Sequence, residues 1–253
     1  MGPDGTTSVV GTFGAGGGRR ASGGEWRYTG GMKHVLGGMA LFALVGCVGT
    51  RSASQAGAEG RLEIVEMRTS KGTIVLELDR ERAPVTVANF LKYADRGAYD
   101  GTIFHRVVEN FVIQGGGYTA ELVERAKIDQ AAGNPDVAIV NEWRNGLKNE
   151  RGTIGMAREA QADTATREFY INVQDNPRLD TPRAQTGDAG YAVFGRVVRG
   201  MEVVDAIRKV ATAPRPTAGV TDGSLNNVPT EAIVILSVKR GGTVGVGSSS
   251  SGR

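Results

Sequence analysis

Arg106, Phe111 and Gln114 fall within one stretch, Phe104-His105-Arg106-Val107-Val108-Glu109-Asn110-Phe111-Val112-Ile113-Gln114-Gly115-Gly116-Gly117. It brings together a fixed cationic donor, an apolar ring and an amide that both donates and accepts. Val107, Val108, Val112 and Ile113 favour extended structure, Glu109-Asn110 reads as a turn, and the three glycines end the second run. Other chemistries find less support. No Lys-Ser/Thr follows the glycines and no helix start is evident, so they do not form a phosphate loop. With only His34, His105 and the single Cys47, the chain offers no zinc set. A hydrolase built on Glu168 lacks a second carboxylate of suitable context.

FHRVVENFVIQGGG resembles the cyclophilin signature FHR-x-x-x-x-F-x-x-Q-G-G, that of the peptidyl-prolyl cis/trans isomerases. The likeness continues downstream. Asn141-Glu142-Trp143-Arg144-Asn145-Gly146-Leu147 is similar to the family's NEA-x-NGL segment, and Arg151 to Arg158 (RGTIGMAR) to its RGT-I-x-MAR strand. The resemblance implies that Arg106 is the catalytic arginine and that Gln114 holds the substrate carbonyl and steadies the arginine. It assigns Phe111, Val112, Tyr170, Leu179 and Tyr191 to the apolar pocket for a proline ring. Ala157 and Arg158 align with the strand whose backbone pairs with the peptide. His105 reads as structural and Phe169 as barrel core.

Such a reaction breaks no bond. Amide resonance puts about 18–20 kcal/mol on the rotation path, and a site that binds the twisted amide better than either planar form lowers that barrier. The twisted proline nitrogen regains a lone pair, to which an arginine that stays protonated can donate. No nucleophile, metal or cofactor is implied. Three departures from the family pattern stand out. Tyr170 replaces a pocket Phe, so its hydroxyl needs a partner if buried. Glu168 replaces a substrate-binding Gln and, as an acceptor-only group, is expected to compete for the Arg106 guanidinium and slow turnover. Arg178 stands where cyclosporin-sensitive members carry Trp.

The elements that must position these residues occupy about 61–240. Leu62–Arg68 and Thr73–Asp79 alternate apolar with polar and form a hairpin. Pro84 opens a helix through Asp95, with Val87, Phe90, Leu91 and Ala94 at helical spacing and Gly97 just past its end. Tyr118–Asp136 has apolar spacing too irregular to assign. Glu168–Val173 is a strand with Glu168 and Tyr170 on one face and Phe169 and Ile171 on the other. Tyr191–Val198 is another strand, Gly200–Val210 a helix with Met201, Val204 and Ile207 inward, and Ala232–Val238 a closing strand. This β-rich order argues for a barrel over βαβ repeats. The resemblance specifies a mainly β fold, a closed eight-stranded antiparallel barrel capped by two α-helices.

Composition agrees with one globular domain: 253 residues, 40% hydrophobic and 23% charged. A net charge of +3 is small and scattered, which argues against a nucleic-acid partner. The ends look different. Residues 1–31 are Gly-rich and aperiodic, so they are disordered or a mis-assigned extension ahead of a true start at Met32. Met32-Lys33-His34 and the apolar run Val35–Gly46 resemble a signal peptide, ending in Leu44-Val45-Gly46-Cys47, which resembles a bacterial lipobox. Residues 32–47 are then the signal, 48–60 a tether, and 241–253 a disordered Gly/Ser tail. This predicts a monomer, lipid-anchored through Cys47 in the bacterial cell envelope, that acts on proline-containing exported polypeptides. The rival reading is a chaperone or scaffold that binds proline segments and in which Glu168 has abolished turnover; intact Arg106, Phe111 and Gln114 favour the enzyme.

Overall fold

A computed structural model describes residues 62–217 and 224–241. Strands β1 (Leu62–Thr69) and β2 (Gly72–Asp79) form the expected hairpin, in register from Leu62 opposite Asp79 to Thr69 opposite Gly72. Their alternation buries Val65 and Met67 and leaves Glu66 and Arg68 exposed. The remaining barrel strands are β3 (Thr102–Val107), β4 (Val112–Thr119), β5 (Thr153–Met156), β6 (Phe169–Asn172), β7 (Val193–Arg199) and, last in the chain, β10 (Ile235–Arg240). They join antiparallel in the order β10-β1-β2-β7-β5-β6-β4-β3. The ring is nearly closed. Between β10 and β3 a bridge at Ile103 and Val234 and the backbone bonds Phe104 N to Ile233 O (3.0 Å) and Gly101 N to Ile235 O (2.9 Å) take the place of a full ladder.

Helices α1 (Pro84–Asp95) and α3 (Met201–Arg208) add Val87, Phe90, Leu91, Ala94, Val204 and Ile207 to the same core as the strands. Pro84 occupies the first turn of α1, and no side chain of its own segment caps it. Glu142 caps it from afar: its carboxylate accepts the amides of Val85 (3.1 Å) and Thr86 (2.8 Å) and the Thr86 hydroxyl (2.7 Å). An anion at that end satisfies orphan donors and suits the helix dipole. At the centre of the core, Phe169 stands nearly perpendicular to Phe90, Tyr99 and Phe104, with centroids 5.7, 5.5 and 6.0 Å away. Edge-to-face geometry of this kind adds to simple area burial.

The structure departs from the sequence expectation in several places, and the closing strand expected from Ala232 begins only at Ile235. Among the described residues there are three α-helices, not two, because α2 (Arg125–Ala131) forms in the unassigned stretch. A separate ribbon pairs β8 (Thr212–Pro216) with β9 (Ser224–Pro229). The strand expected from Tyr191 begins at Val193, and Gly115–Gly117 lie inside β4 instead of ending it.

The third helix eluded periodicity because apolar burial does not hold it; Asp129 is its only buried residue. Arg167, 1% exposed, donates to Asp129 (2.7 Å) and to both oxygens of Asp136. Arg96 (3.1 Å) and Arg125 (3.0 Å) also reach Asp129, and Arg96 and Arg167 stack on the Tyr93 ring. Burial and the nearby Asp136 push the Tyr93 phenol up to about 12. Burial works to raise the Asp129 carboxyl, yet the bonds from Arg167 and Arg125 hold it below the usual range.

Removing Arg167 would leave the buried Asp129 and the half-buried Asp136 without their main partner. We expect Arg167→Met to cost about 3–5 kcal/mol of stability, the range for a broken buried pair, measured by urea unfolding at neutral pH. The wild-type contribution of Asp129 is fully present above the unfolded carboxyl pKa near 3.9 and is lost as pH falls through its lower folded value. An unfolding midpoint in Arg167→Met equal to wild type would show that the cluster does not hold α2.

Candidate active site

The site grows from strand pairing. Arg106 on β3 lies opposite Gln114 on β4, Gln114 opposite Tyr170 on β6, and Tyr170 opposite Gly155 on β5. Directly opposed residues present their side chains to the same face, so the topology lays these positions in one row. Phe169 and Ile171, the alternate residues of β6, belong to the barrel core, which leaves Tyr170 to the other face. At position 155 a Cβ would stand 2.4 Å from the Tyr170 ring, so only glycine lets the tyrosine lie flat across β5.

Val112, Tyr170 and Leu179 form a buried apolar cluster against which Phe111, Ala157 and Tyr191 pack. Every residue predicted for the proline pocket is therefore in one place. Its walls come from three further segments. Leu179 ends a 3-10 turn, Pro177–Leu179, and its carbonyl accepts the Tyr191 amide at 2.8 Å. The Phe111 carbonyl accepts from Asn176 Nδ2 at 2.9 Å, and Asn176 also reaches Asn172 Oδ1 at 2.7 Å. The Tyr170 hydroxyl, fully buried, donates to Asn149 Oδ1 at 2.6 Å, and Asn149 in turn donates to Asp180 at 2.8 Å. Burial first, then the charges of Tyr191 and Asp180, raise the Tyr170 phenol well above its ordinary value. Sequence reading missed this asparagine network; the extra hydroxyl of Tyr170, which needed a partner, was the signal that could have led to it.

The Arg106 guanidinium sits 5.7 Å over the Phe111 ring, at the rim of that cluster. Among the described residues its one hydrogen bond goes to Gln114 Oε1 and is long, 3.4 Å. Most of its donors are thus uncommitted. Burial lowers its affinity for the proton and the Tyr191 hydroxyl opposes that, but a guanidinium remains cationic at neutral pH.

Glu168 does not do what its position suggested. Among the described residues no ion pair joins it to Arg106, because Gln114 stands between them. Glu168 Oε2 instead accepts from Gln114 Nε2 (2.8 Å) and from His105 Nε2 (3.3 Å). Burial works to raise the carboxyl, but the His105 ring and the Gln114 amide outweigh it and hold it below the usual range. His105 is buried as expected, yet it touches the site through this bond.

Ala157 and Arg158 follow the end of β5 and are occupied internally. The Ala157 amide donates to Glu168 O at 2.9 Å. The Arg158 guanidinium reaches Ala189 O (2.8 Å), Gly190 O (2.9 Å) and Thr186 O (3.0 Å), and stacks 4.4 Å over Tyr191. It ties two loops together behind the pocket. Depressions flank the row on either side: one of about 370 Å³ beside Gln114, Tyr118 and Glu168, and one of about 450 Å³ beside Phe111, Arg178 and Leu179.

This arrangement can seat a small apolar ring beside a poised cation, with an amide on hand for a polar group. Residues 64–240 match the family model described as cyclophilin type peptidyl-prolyl cis-trans isomerase. Peptidyl-prolyl cis-trans isomerase A of Dickeya dadantii is 45% identical over 199 residues, 79% of this chain and 95% of that protein. Peptidyl-prolyl cis-trans isomerase B of Escherichia coli is 42% identical over 175 residues, 69% of this chain and 98% of that protein. A solved cyclophilin type peptidyl-prolyl cis-trans isomerase from Cryptosporidium parvum shares the fold at 22% identity, with a TM-score of 0.55 over 72% of this chain and 98% of that one. Apart from the first two residues of β1, the matched residues contain the barrel's described strands and helices and the whole of the row from Arg106 to Tyr170, and on that ground the chain belongs to the cyclophilin-type peptidyl-prolyl cis-trans isomerases.

Proposed function

We propose that this chain accelerates cis/trans rotation about X-Pro bonds in exported, folding polypeptides, with Arg106 as the catalytic residue. The observation that carries the reading is the uncommitted Arg106 guanidinium at the rim of the apolar cluster of Val112, Tyr170 and Leu179. The proline ring enters that cluster, walled by Phe111 and Tyr191, and loses water from its apolar surface. Its nitrogen is then held near Arg106. As the amide twists, resonance is lost and the nitrogen lone pair becomes an acceptor, to which a guanidinium N–H donates. Because that bond is stronger to the twisted form than to either planar one, it lowers the barrier and not merely the ground state. Gln114 holds the carbonyl side. A million-fold acceleration asks about 8 kcal/mol of the whole site.

The rival, a proline-binding module silenced by Glu168, loses its reason, since Glu168 engages Gln114 and His105 and leaves Arg106 free. The envelope location rests on sequence alone. Met32-Lys33-His34, the apolar run to Gly46 and the sole cysteine follow one another in the order of a lipoprotein signal; Cys47 lies outside the described residues. One acyl chain anchors only marginally, so a diacylated Cys47 is what would retain the protein at a membrane.

Three outcomes are expected. Arg106→Ala cuts kcat/KM on a proline peptide at least tenfold, about 1.4 kcal/mol of transition-state stabilisation, with little change in unfolding midpoint; equal activity removes Arg106 from the mechanism. Cyclosporin binds poorly, because Arg178 replaces an indole that would add an apolar wall and a ring N–H donor. Arg178→Trp should tighten it, whereas sub-micromolar inhibition of the wild type would sink the idea. In fractionated bacterial cells the full chain is found with membranes and Cys47→Ala in the soluble fraction; identical soluble partition of both rejects the anchor.

A further inference from the structure

A primary amide has two ends of nearly equal size and opposite hydrogen-bonding character. Gln114 serves Arg106 only when its oxygen faces the guanidinium; turned over, it would set an N–H₂ against another donor. In the structure Oε1 faces Arg106 and Nε2 faces Glu168. An ionised carboxylate can only accept, so it tolerates one of the two orientations. A glutamine at the same place could accept or donate and would tolerate both.

Several features hold that carboxylate where it is. His105 Nε2 donates to the same Oε2, while His105 Nδ1 is buried without a partner. The neighbouring Arg167 is locked into the buried cluster with Asp129 and Asp136, which fixes the backbone from which Glu168 projects. Gly117 makes the room: a Cβ there would lie 2.0 Å from Glu168 Oε1. The ionisable groups nearest the carboxylate are His105 from β3, Tyr118 from β4 and Arg167 on its own segment, and Glu124, Asp136, Arg158 and Glu159 line the same depression.

We propose that Glu168 is a positioning residue for the isomerisation: it acts through Gln114, fixing the amide with its oxygen toward Arg106 and so aiming the guanidinium. The bond from Gln114 to an anion is charge-assisted and stronger than its neutral counterpart, which suits a supporting group whose task is to restrict rotation. The inference rests on the reading of Arg106 as catalytic. It reverses the expected sign of substitution at 168: loss of the charge slows the enzyme.

The test uses the full chain and a protease-free NMR exchange assay on a proline tetrapeptide at neutral pH. Glu168→Ala should lower kcat/KM about tenfold and Glu168→Gln about threefold. Gly117→Ala, which displaces the carboxylate without removing it, should imitate Glu168→Ala. In a Gln114→Ala background, Glu168→Ala should add less than a twofold loss, because its route of action is already gone. The Gln114 side-chain N–H that faces Glu168 should resonate downfield in wild type, as expected for a bond to a carboxylate, and should move back toward the ordinary amide range in Glu168→Ala. A gain in activity from Glu168→Gln, or a full additional loss in the Gln114→Ala background, overturns the proposal. Arg106→Ala separates the two levels. If it cuts turnover while Glu168→Ala leaves it unchanged, only this inference fails; if it has no effect, the site reading fails and takes the inference with it.

Discussion

Side chains on a strand leave by opposite faces in turn, and in β6 that rule carries two unlike chemistries on neighbouring residues. Phe169 meets three aromatic rings edge-on inside the barrel. Tyr170, one residue later, lines the pocket, and Glu168, one residue earlier, meets Gln114 and His105. A slip of one residue in pairing would exchange every one of these assignments. The aromatic cluster prevents it, since no polar residue could replace Phe169 there without an unpaired group in the core. Packing on one side of the sheet thus sets the geometry of the chemistry on the other.

The second support is ionic. α2 has almost no buried apolar surface and depends on carboxylates shared among Arg96, Arg125 and Arg167. Pairs buried in this way add little stability over apolar packing, yet are costly to break. They also fix orientation. Arg167 lies next to Glu168 in sequence, so the cluster that docks the helix also fixes one shoulder of the site.

Local patterning in the sequence reaches far in this fold and stops at recognisable points. The hairpin of β1 and β2, the proline-led α1 and the alternation of β6 are all written in the two periodicities of strands and helices, and the structure has them. The pocket residues were legible through family resemblance, and they meet in one cluster. What was not legible depends on partners distant in sequence. α2 lacks an apolar stripe because its partners, Arg96 and Arg167, come from elsewhere. The Gly115–Gly117 run looked like a terminator and is instead strand interior, where neighbouring side chains approach the backbone. The partner of Glu168 was misread for the same reason: it depends on what stands between Glu168 and Arg106, which only the sheet order reveals.

The seam of the barrel brings the beginning and end of the domain together. β1 pairs with β10 from Val65 opposite Arg240 onward, and the Gly241 amide donates to Ile64 O at 2.7 Å. In a chain made or threaded from its N-terminus, β1 therefore waits for a partner that comes last. Until then one edge of β1 has open backbone donors and acceptors, the condition under which strands find wrong partners. Its early pairing with β2 protects only the other edge. A protein whose relatives are named for isomerising peptidyl-prolyl bonds thus has a late and long-range closing step of its own.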